Sequence, residues 1–198
     1  MNQIKKIEDF AHENGVPIMM DGGVELLIQK IKENNCRSFL ELGTAIARTS
    51  ILIASISKDM RVVTIERNPS MIAEAKKNIA ESGLSDQITL IEGDALEVEN
   101  PDGEFDCIFI DAAKSQYGKF FEKYSPLLSK HGIIVIDNLN FHGFVDHPEN
   151  TTNRNTRQLV GKIKRFRDAL PHYEGFVTEF FNVGDGVAIT RRQNEQVS

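Results

Sequence analysis

The chain alternates between two hydrophobic patterns. Short, nearly continuous apolar runs read as strands covered on both faces: SFLEL from Ser38, RVVTIE (61–66), QITLIEGD (87–94), FDCIFID (105–111) and GIIVID (132–137). Between them the apolar residues fall three and four apart, which predicts helices over Ala45 to Ile56, Pro69 to Ser82, Ser115 to Leu128 and Asn155 to Leu170. The last of these turns Leu159, Ile163, Phe166 and Leu170 inward. Two further amphipathic helices, residues 2–12 and about 22–33, precede the first strand, and the loop PIMMD (17–21) joins them. Strands alternating with helices predict an α/β fold with a mostly parallel sheet and helices on both faces. Near the end, YEGFVTEFF and VAITRR flank NVGDG, a hairpin signal, so the seven-stranded sheet is expected to finish with an antiparallel strand.

The first strand runs through Gly43 straight into a helix. That arrangement suits a nucleotide at a helix N-terminus, yet an ordinary strand–turn–helix unit looks the same, and there is one glycine where a dinucleotide fingerprint has three. The motif alone decides nothing. At 198 residues, with no repeat or low-complexity linker, a single domain over residues 1–198 is expected, with a helical cap over 1–35 and the catalytic core over 36–198. No apolar run reaches membrane-span length and the N-terminus carries charges, so a cytoplasmic protein is expected. Cys36 and Cys107 sit in apolar surroundings as small hydrophobes.

The formal charge of −6 argues against nucleic acid until its distribution is considered. Arg154, Arg157, Lys162, Lys164, Arg165 and Arg167 follow one another without an acid between them, leaving 17 basic against 29 acidic residues elsewhere. A basic face on an acidic body is a candidate polyanion contact, although a solvated helical face would look the same.

Ligands of open parallel sheets bind outside the carboxyl ends of the strands. Here those ends are acidic: Glu41, Glu66, Asp94, Asp111 and Asp137. One such acid caps a helix; five along one edge repel each other unless something cationic or rich in hydroxyls lies among them. Glu66 follows Gly43 by 23 residues, the spacing at which a carboxylate accepts both hydroxyls of a ribose, which implies an adenosine-type cofactor. Asp111, Asp137 and Asn138 offer three oxygen donors with no histidine or thiolate, suited to a hard cation such as Mg²⁺. His142 and His147 read as loop residues and not as ligands. Lys114, three residues beyond Asp111, is expected to face the same site.

These segments resemble the class I, S-adenosylmethionine (SAM)-dependent, divalent-metal O-methyltransferases that include catechol and caffeoyl-CoA methyltransferases. The likeness runs nearly end to end: ELGTAIARTS to the cofactor motif, TIERN to the ribose-binding strand end, EGDALE to the adenine-side loop, FIDAAKSQY and VIDNLNFHG to the metal and catalytic segments, and VGDGVAIT to the C-terminal hairpin. PIMMDGG, KFFEKYSPLL and NRNTRQLVGKIKRF most resemble the bacterial branch that methylates 5-hydroxyuridine at the tRNA wobble position to 5-methoxyuridine. The resemblance implies a Rossmann-like class I methyltransferase fold, with Asp111, Asp137 and Asn138 as Mg²⁺ ligands and Lys114, beside Asp111, as general base. It implies a SAM site formed by Met19, Glu41, Gly43, Thr49, Glu66, Arg67, Asp94, Ala95 and Asp111, and a homodimer. Where the family commonly has a second glycine this chain has Ala47, followed by Arg48, which sets cofactor affinity and a surface contact of Arg48 as points for the structure.

Such a cation binds the acceptor hydroxyl and a neighbouring oxygen, lowers the hydroxyl pKa and aligns the oxyanion with the methyl group. Hydroxyuridine and catechols offer the same two-oxygen grip. With tRNA as partner, Arg48, Arg154, Arg157, Lys164 and Arg165 are the candidate phosphate contacts. The alternatives are a small catechol-like or hydroxycinnamoyl-type acceptor, and an inactive SAM- or RNA-binding module. An NAD-linked dehydrogenase ranks behind them, because it leaves Asp111, Asp137 and Asn138 unexplained.

Overall fold

The computed structural model describes residues 3–193, so the expected chain limits at 1 and 198 and the first residue of the first helix lie outside the described residues. Helices α1 (Gln3–Asn14) and α2 (Asp21–Glu33) lead into β1 (Ser38–Leu42), α3 (Arg48–Ala54), β2 (Arg61–Glu66), α4 (Pro69–Ser82) and β3 (Ile88–Glu92). The second half follows with β4 (Phe105–Ile110), α5 (Tyr117–Tyr124), β5 (Leu128–Ile136), α6 (Arg154–Ala169), β6 (Phe176–Phe181) and β7 (Val187–Arg192). One seven-stranded sheet runs β3-β2-β1-β4-β5-β7-β6. Its first five strands are parallel, and β7 joins β5 and β6 antiparallel, as the hairpin signal predicts. Among the described residues no helix is long and apolar enough to cross a membrane.

Alternate residues of each strand feed two apolar layers. Phe39, Val62, Cys107, Phe109 and Val135 face α1–α4, while Leu40, Leu42, Ile108, Ile110 and Ile136 face α5 and α6. Both cysteines are buried and free, and burial pushes the Cys36 thiol up to about 12. The chain winds from β1 outward through β2 and β3, then crosses back to β4 on the other side of β1. The carboxyl ends of β1 and β4 therefore form the topological switch point, where open α/β sheets place their ligand crevice.

Three expected boundaries move. The helix expected from Ala45 starts only at Arg48, because Ala45 (φ 45°) and Ala47 (φ 66°) are left-handed and belong to the turn. The stretch expected as one helix over 115–128 is a 3₁₀ turn at 114–116, α5, and a second 3₁₀ turn at 125–127 containing Pro126. β5 consequently starts at Leu128, with a register shift opposite Phe105 and Cys107. In α6 it is Val160, not Leu159, that joins Ile163 and Phe166 in full burial.

Candidate active site

At the switch point the backbone comes too close for any side chain. A Cβ on Gly43 (φ +98°) would sit 2.5 Å from the Asp111 carbonyl oxygen, so only glycine lets the two strand ends meet. The turn beyond it is tied to β2 by Glu66, which accepts the Ala45 N–H at 2.9 Å on one oxygen and the Arg67 and Asn68 N–H groups, each at 2.9 Å, on the other. Asp94 accepts the Leu96 N–H and pairs with Arg67 at 2.8 Å, which holds its carboxyl below the usual range. Met19, Gly43, Glu66, Arg67, Asp94, Ala95 and Asp111 all line one cleft of about 310 Å³, so this part of the expected site is brought together. A larger cavity of about 610 Å³, between the 139–146 loop, the end of α6 and β6, contains none of the acidic strand ends. The chemistry lies in the smaller one.

Glu41 and Thr49 lie below this cleft. Both line a small recess under the turn with Gly43 and Asp111. The Glu41 carboxyl is buried, accepts hydrogen bonds from the Ser50 and Thr64 hydroxyls, and is pushed up to about 8 because burial outweighs those bonds. Ala47 turns its methyl into the core and does not line the cleft.

Arg48 corrects an expectation: it is no surface contact for RNA. Arg48 is 5 % exposed and its guanidinium is engaged by Glu8 on α1 at 2.6 Å, Asp21 at the start of α2 at 2.9 Å and the Met19 carbonyl at 3.0 Å. The positive-φ turn aims it back toward the N-terminal helices, where it braces the Met19 loop against α3.

The other end of the cleft is built differently. Asp111 follows β4, Asp137 and Asn138 follow β5, and the Asn138 amide donates to both carboxylates, at 2.9 Å to Asp111 and 3.1 Å to Asp137. One Asp137 oxygen is buried without a hydrogen-bond partner. Burial, with Asp137 as neighbour, pushes Asp111 up to about 7, and burial pushes Asp137 up to about 6; Lys114, 3.8 Å from Asp111, opposes both shifts. Tyr117, not foreseen in the sequence, donates its hydroxyl to the Asp137 carbonyl at 2.9 Å and fixes the strand end. Two crowded carboxylates, one with an oxygen lacking a donor, and an amide whose oxygen and nitrogen are interchangeable by a flip form an all-oxygen donor set that fits a hard divalent cation. His142 and His147 stand apart with exposed rings beside Asp185 and Glu149. Among the described residues no three His, Cys, Asp or Glu side chains converge, so the fit rests on the two aspartates and the asparagine.

The sequence matches the family model described as O-methyltransferase over residues 2–193. The chain belongs to the O-methyltransferase family. A catechol O-methyltransferase from Niastella koreensis is 38% identical over 154 residues, covering 74% of this chain and 66% of that protein. A Staphylococcus aureus crystal structure, provisionally named a caffeoyl-CoA O-methyltransferase, superposes with a TM-score of 0.92 at 43% identity, covering 98% of this chain and 93% of the other. An SAH-bound methyltransferase from Podospora anserina shares the fold, with a TM-score of 0.86 at 23% identity over 98% of this chain and 89% of the other. The expected Rossmann-like methyltransferase fold and the enzyme class are both met.

On this O-methyltransferase the basic segment is α6, capped by Asn153, whose side chain accepts the Thr156 N–H at 3.0 Å. Arg154, Arg157, Lys164 and Arg165 are exposed, as expected. Their charges are not equally free: Arg157 donates to the Thr151 carbonyl, Lys164 pairs with Asp168, and Arg167 pairs with Asp146.

Proposed function

We propose that the protein transfers a methyl group from SAM to an acceptor hydroxyl held by a divalent cation. The cation, Mg²⁺ or a similar hard ion, would sit on Asp111, Asp137 and Asn138. The observation that carries this reading is the buried, unpartnered Asp137 oxygen beside a second carboxylate with a raised pKa. The cation supplies charge that lowers the acceptor hydroxyl pKa and fixes it against the methyl donor. The chain's residues do the rest. Glu66 faces the cleft with carboxylate lone pairs left for ribose hydroxyls, Asp94 and Ala95 border the adenine end, and Met19 closes the cleft from the N-terminal side. Glu41, uncharged over much of the neutral range, supports the turn beneath the sulfonium without adding a second anion there. Lys114, 3.8 Å from Asp111, would accept the hydroxyl proton on its nitrogen lone pair, as the free amine rather than the ammonium.

The acceptor in this reading is 5-hydroxyuridine at the tRNA wobble position, whose hydroxyl and adjacent carbonyl match a two-oxygen grip. The exposed basic face of α6 supports it, with Arg154 and Arg165 in the leading role because Arg157 and Lys164 have partners within the chain. A small catechol-like acceptor is the second reading, favoured by the 38% identity to a catechol O-methyltransferase. Homodimer assembly belongs to the same proposal; the edge strand β6 exposes Val177 and Phe180, and sedimentation tests it. The decisive assay offers labelled SAM and Mg²⁺ in parallel to hydroxyuridine-containing tRNA and to catechols. Label in tRNA, with binding that weakens by about −0.7 in log–log salt slope per phosphate contact, supports the RNA reading. Label in catechols alone overturns it.

A further inference from the structure

The residues following Asp137 adopt a backbone that their side chains disfavour. Asn138 (φ 62°), Phe141 (φ 43°) and His142 (φ 57°) are all left-handed and none is glycine, a conformation kept only where the surroundings impose it. The β6–β7 turn imposes it. The Leu139 N–H donates to the Gly186 carbonyl at 2.9 Å, the Asn140 N–H donates to the Asp185 carbonyl at 2.8 Å, and the His142 N–H donates to the Asp185 carboxylate. Gly186 (φ +83°) packs so closely that a Cβ there would meet the Asn140 nitrogen at 2.9 Å. Asp185 itself is 6 % exposed. Its second oxygen has no hydrogen-bond partner and lies 3.7 Å from the His142 ring nitrogen. A buried, half-satisfied carboxylate is unfavourable in a mere turn residue.

We propose that Asp185 is a positioning residue of this methyltransferase. Its carboxylate, by accepting the His142 N–H beside the main-chain bond from Asn140, holds Asn138 in the left-handed conformation that sets its amide between Asp111 and Asp137. The proposal rests on the reading of those three residues as a cation site. Asp185 does not line the cleft; it acts through the backbone of 138–142. Its charge also reaches Asp137, so position and charge must be separated by experiment.

Mn²⁺ is the probe, titrated calorimetrically into the full-length protein, with SAM affinity measured on the same samples. Asp185→Ala is expected to weaken Mn²⁺ binding about 10- to 100-fold, the usual effect of losing a group that orients a ligand, while SAM affinity stays within about twofold. Amide hydrogen exchange over 139–142 should accelerate in the same variant. Asp185→Asn keeps the acceptor oxygen and removes the charge, so it should bind Mn²⁺ within about threefold of the parent. Gly186→Ala, which pushes Asn140 away, should reproduce the alanine effect and replaces Asp185→Ala if that variant does not fold. Unchanged Mn²⁺ affinity in both Asp185→Ala and Gly186→Ala overturns the proposal. So does an asparagine variant as weak as the alanine one, which would make charge the cause, or a parallel loss of SAM affinity. A parent protein that binds no Mn²⁺ overturns the cation reading itself, whereas a binding parent with indifferent variants overturns only the role of Asp185.

Discussion

The two ends of the cleft are made of the same residue type at equivalent strand ends, yet they differ in how their charge is answered. At the cofactor end, Glu66 receives three backbone N–H groups and Asp94 an N–H and an arginine. At the other end, Asp111 and Asp137 share one amide, with Lys114 3.8 Å from Asp111, leave one oxygen unpartnered and have raised pKa values. Protein donors organise the first end in advance; the second is short of positive charge. A carboxylate at a strand end is thus a rigid hydrogen-bonding post in one place and, in the proposed function, a cation ligand in the other, and the donors around it separate the two.

The largest effect that would break this contrast is at Asp137. Asp137→Ala is expected to lower methyl transfer on the order of 10²–10³-fold while SAM affinity, measured by calorimetry, changes less than about threefold. Equal losses in both would mean the two ends are one unit. Next comes Arg48→Ala, which leaves the Met19 carbonyl and Glu8 without their cation. It should cost about 3 kcal/mol in denaturant unfolding, toward the lower end for a broken buried pair because Glu8 keeps contact with water. SAM affinity should fall as well, since the Met19 loop loses its brace.

Protons should compete with the cation at Asp111 and Asp137. Asp111 and Asp137 have raised pKa values of about 7 and about 6, so each binds protons more tightly than an ordinary carboxylate and must release them to ligate. Mn²⁺ affinity is therefore expected to rise with pH between about 5.5 and 7.5, by up to about tenfold per unit for each proton displaced. Calorimetry in buffers of different ionisation enthalpy counts those protons; a flat affinity across this window would contradict the raised carboxylates. The smallest effect belongs to Ala47→Gly. Relief of a left-handed alanine, about 1–2 kcal/mol, opposes a more flexible unfolded chain and about 0.8 kcal/mol for one buried methyl group. Thermal unfolding should place the variant within about 1 kcal/mol of the parent, with SAM affinity within about twofold because the methyl faces the core.

Much of this was legible from periodicity. The apolar runs located the strands, and acids at their ends located the cleft, because a parallel sheet buried on both faces admits charge only at its edges. Glu66, Asp94, Asp111 and Asn138 line one cleft, as acids at neighbouring strand ends imply, and Asp137 is joined to them through the Asn138 amide. Arg48 departs from the expected surface contact because the left-handed Ala47 and partners on α1 and α2, 40 and 27 residues away, bring it inside, and no local pattern announces them. Tyr117 was hidden in the apolar stripe of α5, where a hydroxyl leaves no periodic trace. Asp185 was absorbed into a turn signal that is correct for the hairpin and silent about the loop it grips.

Chelation tests the central contrast most directly. Methyl transfer and SAM binding are measured on one preparation before EDTA, after EDTA and after added Mg²⁺. The account predicts that transfer is lost and then restored while SAM binding holds throughout. Transfer that persists undiminished in the chelator would contradict the assignment of Asp111, Asp137 and Asn138 to a cation.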